Sequence, residues 1–529
     1  MRRLQTVIVA AGAFGVAIAL PAQRPTVSAP PALIVFITVD QMRPDYLDVY
    51  QSQFTGGLAR LLKGGAFFTN AFQDHGVTET APGHASTLSG RFPRSTGIVA
   101  NDAGVLDPQA PLIGARGDPA SPFRFRGTTL IDWIRLHDPR ARALSVSRKD
   151  RGAILPLGRA RQQVYWYATN GTFTTSSYYA DTLPTWVQQF NARRIPQSYA
   201  GKQWTLLLPE KAYAEADTVP EESSGEDYVF PHPFPASEAQ AAASFAAYPM
   251  MDELTLQLAL RGLSSLELGG TPGRTDLLAV SLSTTDAVGH RFGPDSRELH
   301  DQIVRLDRYL GAFVDSLYKL RDSSTIVFAL TADHGVAPLP EAEVKSRYRA
   351  SAGGFADITP AIRTLYEGLQ RAGVDSAGYN EDSGVLYLDP DALARARLNR
   401  DSVARSYATQ VSRIQGIARA DLFSDLARRD TTKDAISRRW LHMFPSDLPV
   451  AVVVTLAPFW YWSGVPIATH GTPNDYDAHV PILLYGPRIR DGKYGEMARV
   501  VDLAPTLAAL AGVKPMERLD GHVLTSAIR

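Results

Sequence analysis

LIVFITVD, residues 33–40, is a run of β-branched and other apolar residues that ends in an aspartate. Runs of this kind are typical of a central strand that is covered on both faces. The same pattern recurs in three later segments: DLLAVSLSTTD at 276–286, STIVFALTADH at 324–334 and HVPILLYG at 479–486. The sequence therefore predicts four buried strands of one sheet.

A segment with helical periodicity lies between the second and third of these strands. One face of the intervening segment carries apolar residues at helical spacing, namely Ile303, Leu306, Leu310, Phe313, Val314 and Leu317. Alternation of strand and helix predicts an α/β fold with a central, mostly parallel β-sheet flanked by helices on both faces. VDLAPTLAALAG, residues 501–512, is predicted to be a further helix that packs on this sheet.

Two stretches interrupt the pattern. Residues from about 156 to 250 are aromatic and polar, and those from about 337 to 470 contain charged helical segments. We expect both to be cap insertions that roof a pocket and do not extend the sheet. On this interpretation residues 33–529 form a single domain.

The N-terminal residues have the composition of an export signal. Two arginines precede a short apolar run and small residues, which predicts a signal peptide over residues 1–22. A retained N-terminal anchor is the alternative. A proline-rich linker follows over residues 23–32, and the expected location of the chain is periplasmic or secreted.

The overall composition excludes several classes of partner and chemistry. Lys plus Arg and Asp plus Glu number 54 each, so no global field recruits nucleic acid or an anionic membrane. The chain contains no cysteine, which excludes disulfides, thiolate nucleophiles and thiolate metal ligands. We expect neither nucleic acid binding nor, after signal cleavage, membrane binding.

Candidate metal ligands follow the predicted strands. In parallel sheets ligands gather beyond the carboxyl ends of the strands. Each candidate has an ordinary structural alternative, such as a helix cap or an Asx turn. As a set they suggest two metal sites with three ligands each, and they are Asp40, Asp286, His290, Asp333, His334 and His470. Oxygen and imidazole ligands without thiolate suit zinc best, although manganese, cobalt and iron remain open, and His479 could replace His470.

GVTETAPGHASTLSG, residues 76–90, places Thr78 and Thr80 before a Pro-Gly pair at a predicted helix start. Hydroxyl residues at such positions are usually caps. A hydroxyl beside a dication and the N–H groups of a helix terminus could also ionise and meet a phosphate. Asn101, Lys149 and Arg151 could then donate to the phosphate oxygens.

Taken together, the motifs resemble the alkaline phosphatase superfamily, in particular its bacterial exported, phosphate-irrepressible alkaline phosphatases with a threonine nucleophile. The matching segments run in the order of that family, and they are VDQMRPDY, TAPGHASTLSG, STGIVAND, SRKDRGAILP, YWYATNGTF, SYYADTLPTWV, STTDAVGH, TADHGV, THGTPNDYDAHVP and VDLAPTLAALAG. The resemblance implies hydrolysis of small-molecule phosphate monoesters through a phosphothreonine at a site with two Zn²⁺ ions.

The same resemblance assigns roles residue by residue. Thr80, in place of Thr78, becomes the nucleophile and a ligand of the first zinc, which Asp40, Asp333 and His334 also hold. The second zinc is assigned to Asp286, His290 and His470. The phosphate-binding side chains are assigned to Asn101, Lys149 and Arg151.

Three alternatives compete with a phosphomonoesterase. A phosphodiesterase or nucleotide pyrophosphatase of the same superfamily would share the metal ligands and Thr80, but two cations, Lys149 and Arg151, suit the dianion of a monoester. A sulfatase is disfavoured because no cysteine is present to form formylglycine. A non-catalytic phosphate-binding protein would be expected to lack some of these residues. The oligomeric state is open.

Overall fold

The computed structural model describes residues 29–102, 104–338, 353–463 and 468–529. The predicted signal peptide over residues 1–22 and most of the linker over 23–32 lie outside the described residues. Within the described part of the chain, no helix has both the length and the apolar character needed to cross a bilayer.

The strands form one large sheet and several small ones. In chain order they are β1 (Leu33–Val39), β2 (Ala66–Phe72), β3 (Ala143–Ser147), β4 (Gln163–Ala168), β5 (Thr172–Thr174), β6 (Gln203–Trp204), β7 (His232–Pro233), β8 (Asp276–Leu282), β9 (Ile326–Thr331), β10 (Gly354–Ala356), β11 (Tyr379–Asp382), β12 (Val385–Leu388), β13 (Ile417–Leu422), β14 (Val450–Leu456), β15 (Trp460–Trp462), β16 (Ile482–Tyr485) and β17 (Gly492–Arg499).

The large sheet has nine strands among the described residues, in the order β17-β2-β16-β9-β1-β8-β3-β4-β5. Its centre is parallel, because β1 pairs in parallel with β8 and β9 on its two sides. Only β16 and β5 run in the opposite direction within this sheet. Every residue of β1, β8 and β9 is buried. Since successive side chains point to opposite faces, both faces of the sheet are covered.

The helices supply that cover. In chain order they are α1 (Tyr46–Val49), α2 (Gly57–Gly64), α3 (Thr80–Thr87), α4 (Pro93–Thr96), α5 (Leu130–His137), α6 (Asp150–Ile154), α7 (Thr185–Asn191), α8 (Glu238–Ser244), α9 (Met250–Ser265), α10 (Thr284–Phe292), α11 (Arg297–Leu320), α12 (Thr359–Arg371), α13 (Pro390–Arg395), α14 (Arg400–Val411), α15 (Phe423–Leu426), α16 (Ala435–Leu441), α17 (Asp475–Ala478) and α18 (Leu503–Ala511).

The fold class predicted from the sequence is confirmed. The four predicted strands are β1, β8, β9 and β16, and the predicted helix between β8 and β9 is α11, whose six apolar positions are all buried. The C-terminal segment forms α18, which is buried along most of its length. The direction of β16 could not be deduced from its composition, because apolar runs look alike in either direction.

The first interrupting stretch differs from the expectation. Residues 163–174 contain β4 and β5, which extend the large sheet beyond β3. The expectation that residues 156–250 do not extend the sheet is therefore wrong for this hairpin. The burial pattern explains the error, because β4 is almost completely buried although it is rich in tyrosine and tryptophan.

The second stretch builds a small sheet of its own. Strands β11, β12, β14 and β13 form a four-stranded antiparallel sheet with a separate hydrophobic cluster. Helix α16 joins this unit to the main sheet through the buried Asp74, whose carboxylate lies 2.9 Å from Arg438 Nε and 2.9 Å from Arg499 Nε. This cap unit therefore packs beside the segment that leads into α3.

Candidate active site

The predicted ligands lie at one edge of the large sheet. Asp40 follows β1, Asp286 lies in the first turn of α10 just after β8, and Asp333 and His334 follow β9. These three strands are parallel, so their carboxyl ends meet at the same edge. His470 precedes β16, and because β16 is antiparallel to β9, the start of β16 lies at this edge too.

One group of possible metal ligands consists of Asp286, His290 and His470. His290 Nε2 lies 3.1 Å from Asp286 Oδ1, and His470 Nε2 lies 3.6 Å from the same oxygen. The first pair is separated by four residues, so one helical turn of α10 places both side chains on one face. The structure thus brings together the three residues that the family resemblance assigns to one zinc.

A second group consists of Asp40, Asp286 and His334. His334 Nε2 lies 3.4 Å from Asp40 Oδ1. Asp286 belongs to both groups, so a single carboxylate stands between them. Asp333, which the sequence assigned to this group, lies nearby with its Oδ2 atom 3.7 Å from His334 Nε2 and 3.1 Å from His84 Nδ1.

The three histidines share one orientation that suits a metal ion. Each ring donates its Nδ1–H to a backbone carbonyl: His290 to Ala468, His334 to Gly335 and His470 to Thr78. When these rings are neutral, the Nε2 atom of each carries the lone pair and faces carboxylate oxygens. Such an arrangement is unfavourable without a cation, and it is the one in which imidazole ligates metals.

Buried carboxylate oxygens point to the same conclusion. Both oxygens of Asp40 and the Oδ2 atom of Asp333 accept no hydrogen bond from the described residues, although neither side chain is exposed to solvent. Lys149 and His84 approach them only as ion-pair partners. Buried acceptors without partners are costly unless an ion or a proton satisfies them. The donor set of this edge therefore fits divalent metal ions.

Charge interactions keep these carboxylates ionised. Burial and the neighbouring Asp286 oppose ionisation of Asp40, but Lys149 and His334 outweigh them and hold its pKa well below the usual range. Burial also opposes protonation of His334, yet the carboxylates of Asp333 and Asp40 raise its pKa to about 9. Burial and the charge of His334 lower the pKa of His470 to about 4.

Thr80 is the first residue of α3 and is buried beside both groups. Its Oγ1 atom lies 3.5 Å from His334 Nε2, and Lys149 Nζ donates to it over 3.1 Å. Thr78, the other candidate, donates its hydroxyl to the carbonyl of Thr472 over 2.7 Å. Only the Thr80 hydroxyl of the two therefore faces the predicted ligands.

Lys149 lies more centrally than its place in the sequence suggested. Its ammonium nitrogen is 2.6 Å from Asp40 Oδ2 and 2.8 Å from Asp286 Oδ2. The lysine is the N-cap residue of the short helix α6, which follows β3 at the same edge of the sheet. One ammonium group thus contacts the nucleophile candidate and a carboxylate of each metal-binding group.

Asn101 and Arg151 lie around the start of α3. Asn101 Oδ1 accepts the backbone N–H of Ala81 over 2.9 Å, which turns the amide Nδ2 donors outward. Arg151 forms an ion pair with Asp150, and its positive charge also attracts the carboxyl group of Glu79. Fewer backbone N–H groups are free at the start of α3 than expected. The Ala81 N–H donates to Asn101, and residue 82 is a proline, which has no N–H.

Three residues at the site were not singled out from the sequence. His84 bridges the Thr80 carbonyl, Asp333 Oδ2 and Ser281 Oγ, and its position one helical turn after Thr80 could have indicated this. Gln41 donates to both Asp333 and Asp286 from a backbone with positive φ. Glu79 accepts the Asn101 backbone N–H over 2.7 Å.

His479, the possible substitute for His470, lies elsewhere. Its Nε2 atom is 2.9 Å from the Thr69 carbonyl oxygen, and its ring stacks on Phe72. This histidine therefore packs against β2.

A family model described as type I phosphodiesterase / nucleotide pyrophosphatase matches residues 34–442, which is more than half of the chain. The chain belongs to this family. The match begins in β1 and ends just after α16, so it includes every predicted site residue except His470.

Curated relatives of this phosphodiesterase-family chain match it over nearly its full length. Alkaline phosphatase PhoV of Synechococcus elongatus is 31% identical, covering 96% of this chain and 95% of the relative. Alkaline phosphatase PafA of Elizabethkingia meningoseptica is 29% identical, covering 96% of both chains. The resemblance to the alkaline phosphatase superfamily is thereby confirmed.

A solved structure supports the same relationship. The crystal structure of wild-type alkaline phosphatase PafA superposes with a TM-score of 0.86 at 28% identity, covering 95% of this chain and 100% of that one. Both the architecture and the chain order are thus similar to those of a bacterial alkaline phosphatase.

Proposed function

We propose that this protein is a metal-dependent phosphomonoesterase, an alkaline phosphatase, that hydrolyses small phosphate monoesters through a phosphothreonine at Thr80. The observation that carries the proposal is the position of the Thr80 hydroxyl. It lies between Lys149 Nζ and His334 Nε2, at a sheet edge with two groups of possible metal ligands. The names of PhoV and PafA, both alkaline phosphatases, support the same activity.

In the proposed reaction, the Thr80 hydroxyl releases its proton to solvent, and Oγ1 attacks phosphorus while the bond to the leaving alcohol breaks, so the phosphoryl group is transferred to the threonine. The alcohol takes up a proton as it leaves. Water then attacks the phosphothreonine, releases inorganic phosphate and restores the hydroxyl. Covalent catalysis of this kind needs an activated hydroxyl, and the nearby Lys149 ammonium lowers the energy of the alkoxide.

The equatorial oxygens of the phosphoryl group carry much of the charge in the transition state. We assign Lys149, Arg151 and the Nδ2 amide of Asn101 to these oxygens. The bond from Ala81 N–H to Asn101 Oδ1 supports this role, because it fixes the amide while its Nδ2 donates to none of the described residues. Fixed donors stabilise developing charge without the cost of reorientation.

We assign one metal ion to Asp40, Asp333, His334 and Thr80 and another to Asp286, His290 and His470. Divalent ions there would supply Lewis-acid stabilisation of the reacting oxygens. Carboxylate and imidazole ligands without thiolate favour zinc. The backbone carbonyls of Ala468, Gly335 and Thr78 hold the histidine rings in the orientation that such ligation requires.

Phosphodiester hydrolysis is the second candidate, and the description of the matching family favours it. The two activities differ in the charge and bulk of the substrate. A monoester dianion is best met by two cations, whereas a diester carries one charge and a second substituent. Lys149 and Arg151 at the start of α6 therefore favour the monoester.

The deciding experiment measures metal content and kcat/KM of the purified chain on p-nitrophenyl phosphate and on its methyl diester. We expect zinc in the protein and a monoester preference of orders of magnitude, and a diester preference would overturn the proposal. Arg151→Met should reduce monoester turnover far more than diester turnover. Arg161→Met, at an exposed arginine away from the site, should change neither.

We further propose that the phosphatase acts outside the cytoplasm, with residues 33–529 as one catalytic domain. The export-like composition of residues 1–22 supports this location. The continuous chain order of the resembling motifs supports the single domain.

A further inference from the structure

A cavity of about 150 Å³ opens beside the reaction site and beneath the cap unit. It shares two residues with the site: Glu79, which precedes Thr80, and His470, which belongs to the group with Asp286 and His290. Its other walls come mainly from β15 and from the segment 469–477 that leads into β16, and Ser383 in the turn between β11 and β12 adds a further contact. A substituent on the phosphate would enter this space, since it adjoins the residue before the nucleophile and a histidine of a metal-binding group.

Two tryptophans of β15, Trp460 and Trp462, line the cavity. Both indole rings lie directly on glycine backbones of the cap unit. A Cβ atom at Gly416 would come within 2.0 Å of the Trp460 ring, and one at Gly384 within 2.7 Å of the Trp462 ring. Because no side chain intervenes, the rings are fixed as flat, half-buried walls.

Glu79 gives the cavity a polar and negative side. Its Oε2 atom accepts the Asn101 backbone N–H, while its Oε1 atom faces Gly471 and accepts no hydrogen bond from the described residues. A hydroxyl group entering the cavity would therefore find an acceptor in need of a donor.

We propose that this cavity binds the leaving group of the substrate and selects a single neutral ring that carries hydroxyl groups, as in a hexose phosphate. The C–H face of the ring lies against Trp460 and Trp462, and a ring hydroxyl donates to Glu79. The proposal rests on the phosphomonoesterase function and names the substrate class of that same site.

Size and charge exclude other leaving groups. Sites for drug-sized ligands usually enclose ~300–1,000 Å³, so this cavity accommodates one ring and not a base together with a sugar. An aryl or cyclohexyl ring would leave Glu79 Oε1 desolvated without a donor, which is costly. A leaving group with a second anionic charge would be repelled by the same carboxylate.

The first test compares three primary alkyl monoesters on the zinc-loaded wild-type enzyme: glucose 6-phosphate, cyclohexylmethyl phosphate and methyl phosphate. Aromatic contacts of this kind change affinity by about tenfold, so we expect kcat/KM for glucose 6-phosphate to exceed that for methyl phosphate by at least that factor. Cyclohexylmethyl phosphate equal to or better than glucose 6-phosphate would overturn the proposal.

The second test uses Trp462→Ala, with Trp462→Phe as the variant that keeps a ring. We expect Trp462→Ala to lower kcat/KM for glucose 6-phosphate about tenfold and Trp462→Phe to retain most of it. Methyl phosphate should be hydrolysed equally by all three forms. Equal losses on both substrates would show a structural role and overturn the proposal.

A matched control is available on the neighbouring strand. Phe355 of β10 pairs with Tyr461 of β15 but is 47% exposed and does not line the cavity. Phe355→Ala should leave the ratio of the two substrates unchanged. Failure of the phosphomonoesterase function would look different, because the wild type would then hydrolyse none of the three monoesters.

Discussion

Replacing Lys149 with methionine tests whether one ammonium group and the metal ions share the same carboxylates. The substitution Lys149→Met keeps the length and apolar stem of the side chain and removes its charge. In the structure the ammonium nitrogen lies 2.6 Å from Asp40 and 2.8 Å from Asp286, and these side chains are 0% and 4% exposed. Its removal leaves two buried carboxylates close together with less compensating charge.

The expected cost follows from these distances. At an effective dielectric constant of about 20, each contact contributes roughly 6 kcal/mol of Coulomb attraction, most of which offsets desolvation. Breaking a buried pair by removing one partner costs about 3–5 kcal/mol. The unfolding entropy of a chain of this size is about 1 kcal/mol/K, so we expect the metal-free Tm to fall by about 3–5 °C.

Zinc should largely reverse this loss. A divalent ion supplies the charge that Lys149 supplied, so zinc should raise the Tm of Lys149→Met more than that of the wild type. Monoester kcat/KM should nevertheless stay about 10²–10³-fold below wild type, because a donor to the phosphoryl group is missing. Thermal unfolding with chelator and with zinc, together with steady-state kinetics, measures all three effects.

Lys493→Met is the matched control. This lysine is 61% exposed and pairs with an equally exposed Asp48 over 3.3 Å, and such pairs contribute about 0–1 kcal/mol. The reasoning is refuted if Lys149→Met has the metal-free Tm of the wild type, or if zinc stabilises both proteins equally.

Three further predictions concern the nucleophile and two buried acids. Thr80→Ala should abolish turnover, with zinc content and Tm close to wild type, and unchanged activity would exclude Thr80 as the nucleophile. Glu381→Gln should raise the Tm at pH 8.5 and not at pH 5. Burial raises the pKa of Glu381 to about 7, so its ionisation destabilises the fold as pH rises through that value. The glutamine still accepts the Gly384 N–H. Asp74→Asn should lower stability by about 3–5 kcal/mol at neutral pH. Its pKa is lowered because Arg438 and its neighbours outweigh burial, so the difference from wild type should shrink as pH falls below about 4, as urea unfolding at several pH values would measure.

Much of the large sheet could be predicted because its central strands are covered on both faces. Burial on both sides requires long apolar runs, and β1, β8 and β9 carry them without interruption. The β4–β5 hairpin was missed because its aromatic residues are compatible with either a sheet edge or a pocket wall. The orientation of β16 depends on its neighbours in space and leaves no mark in its own composition.

In the candidate site, too, some features could be predicted from the sequence and others could not. Residues fixed by the backbone at strand ends, such as Asp40 and Asp286, could be placed from the sequence. The reach of a flexible side chain could not, and Lys149 extends from α6 into the centre of the carboxylates. The contact between His84 and Asp333 could not be predicted either, because it joins α3 to the end of β9 and depends on how these two elements pack.

The place of β16 in the sheet determines when the sheet can be completed during synthesis of the chain. This strand lies between β2 and β9, yet it is synthesised about 400 residues after β2. Until it emerges from the ribosome, the nascent sheet has an open slot, and His470 emerges only shortly before β16. Closure of the sheet and completion of the ligand set are thus one late event, so a partly synthesised chain holds no finished catalytic centre.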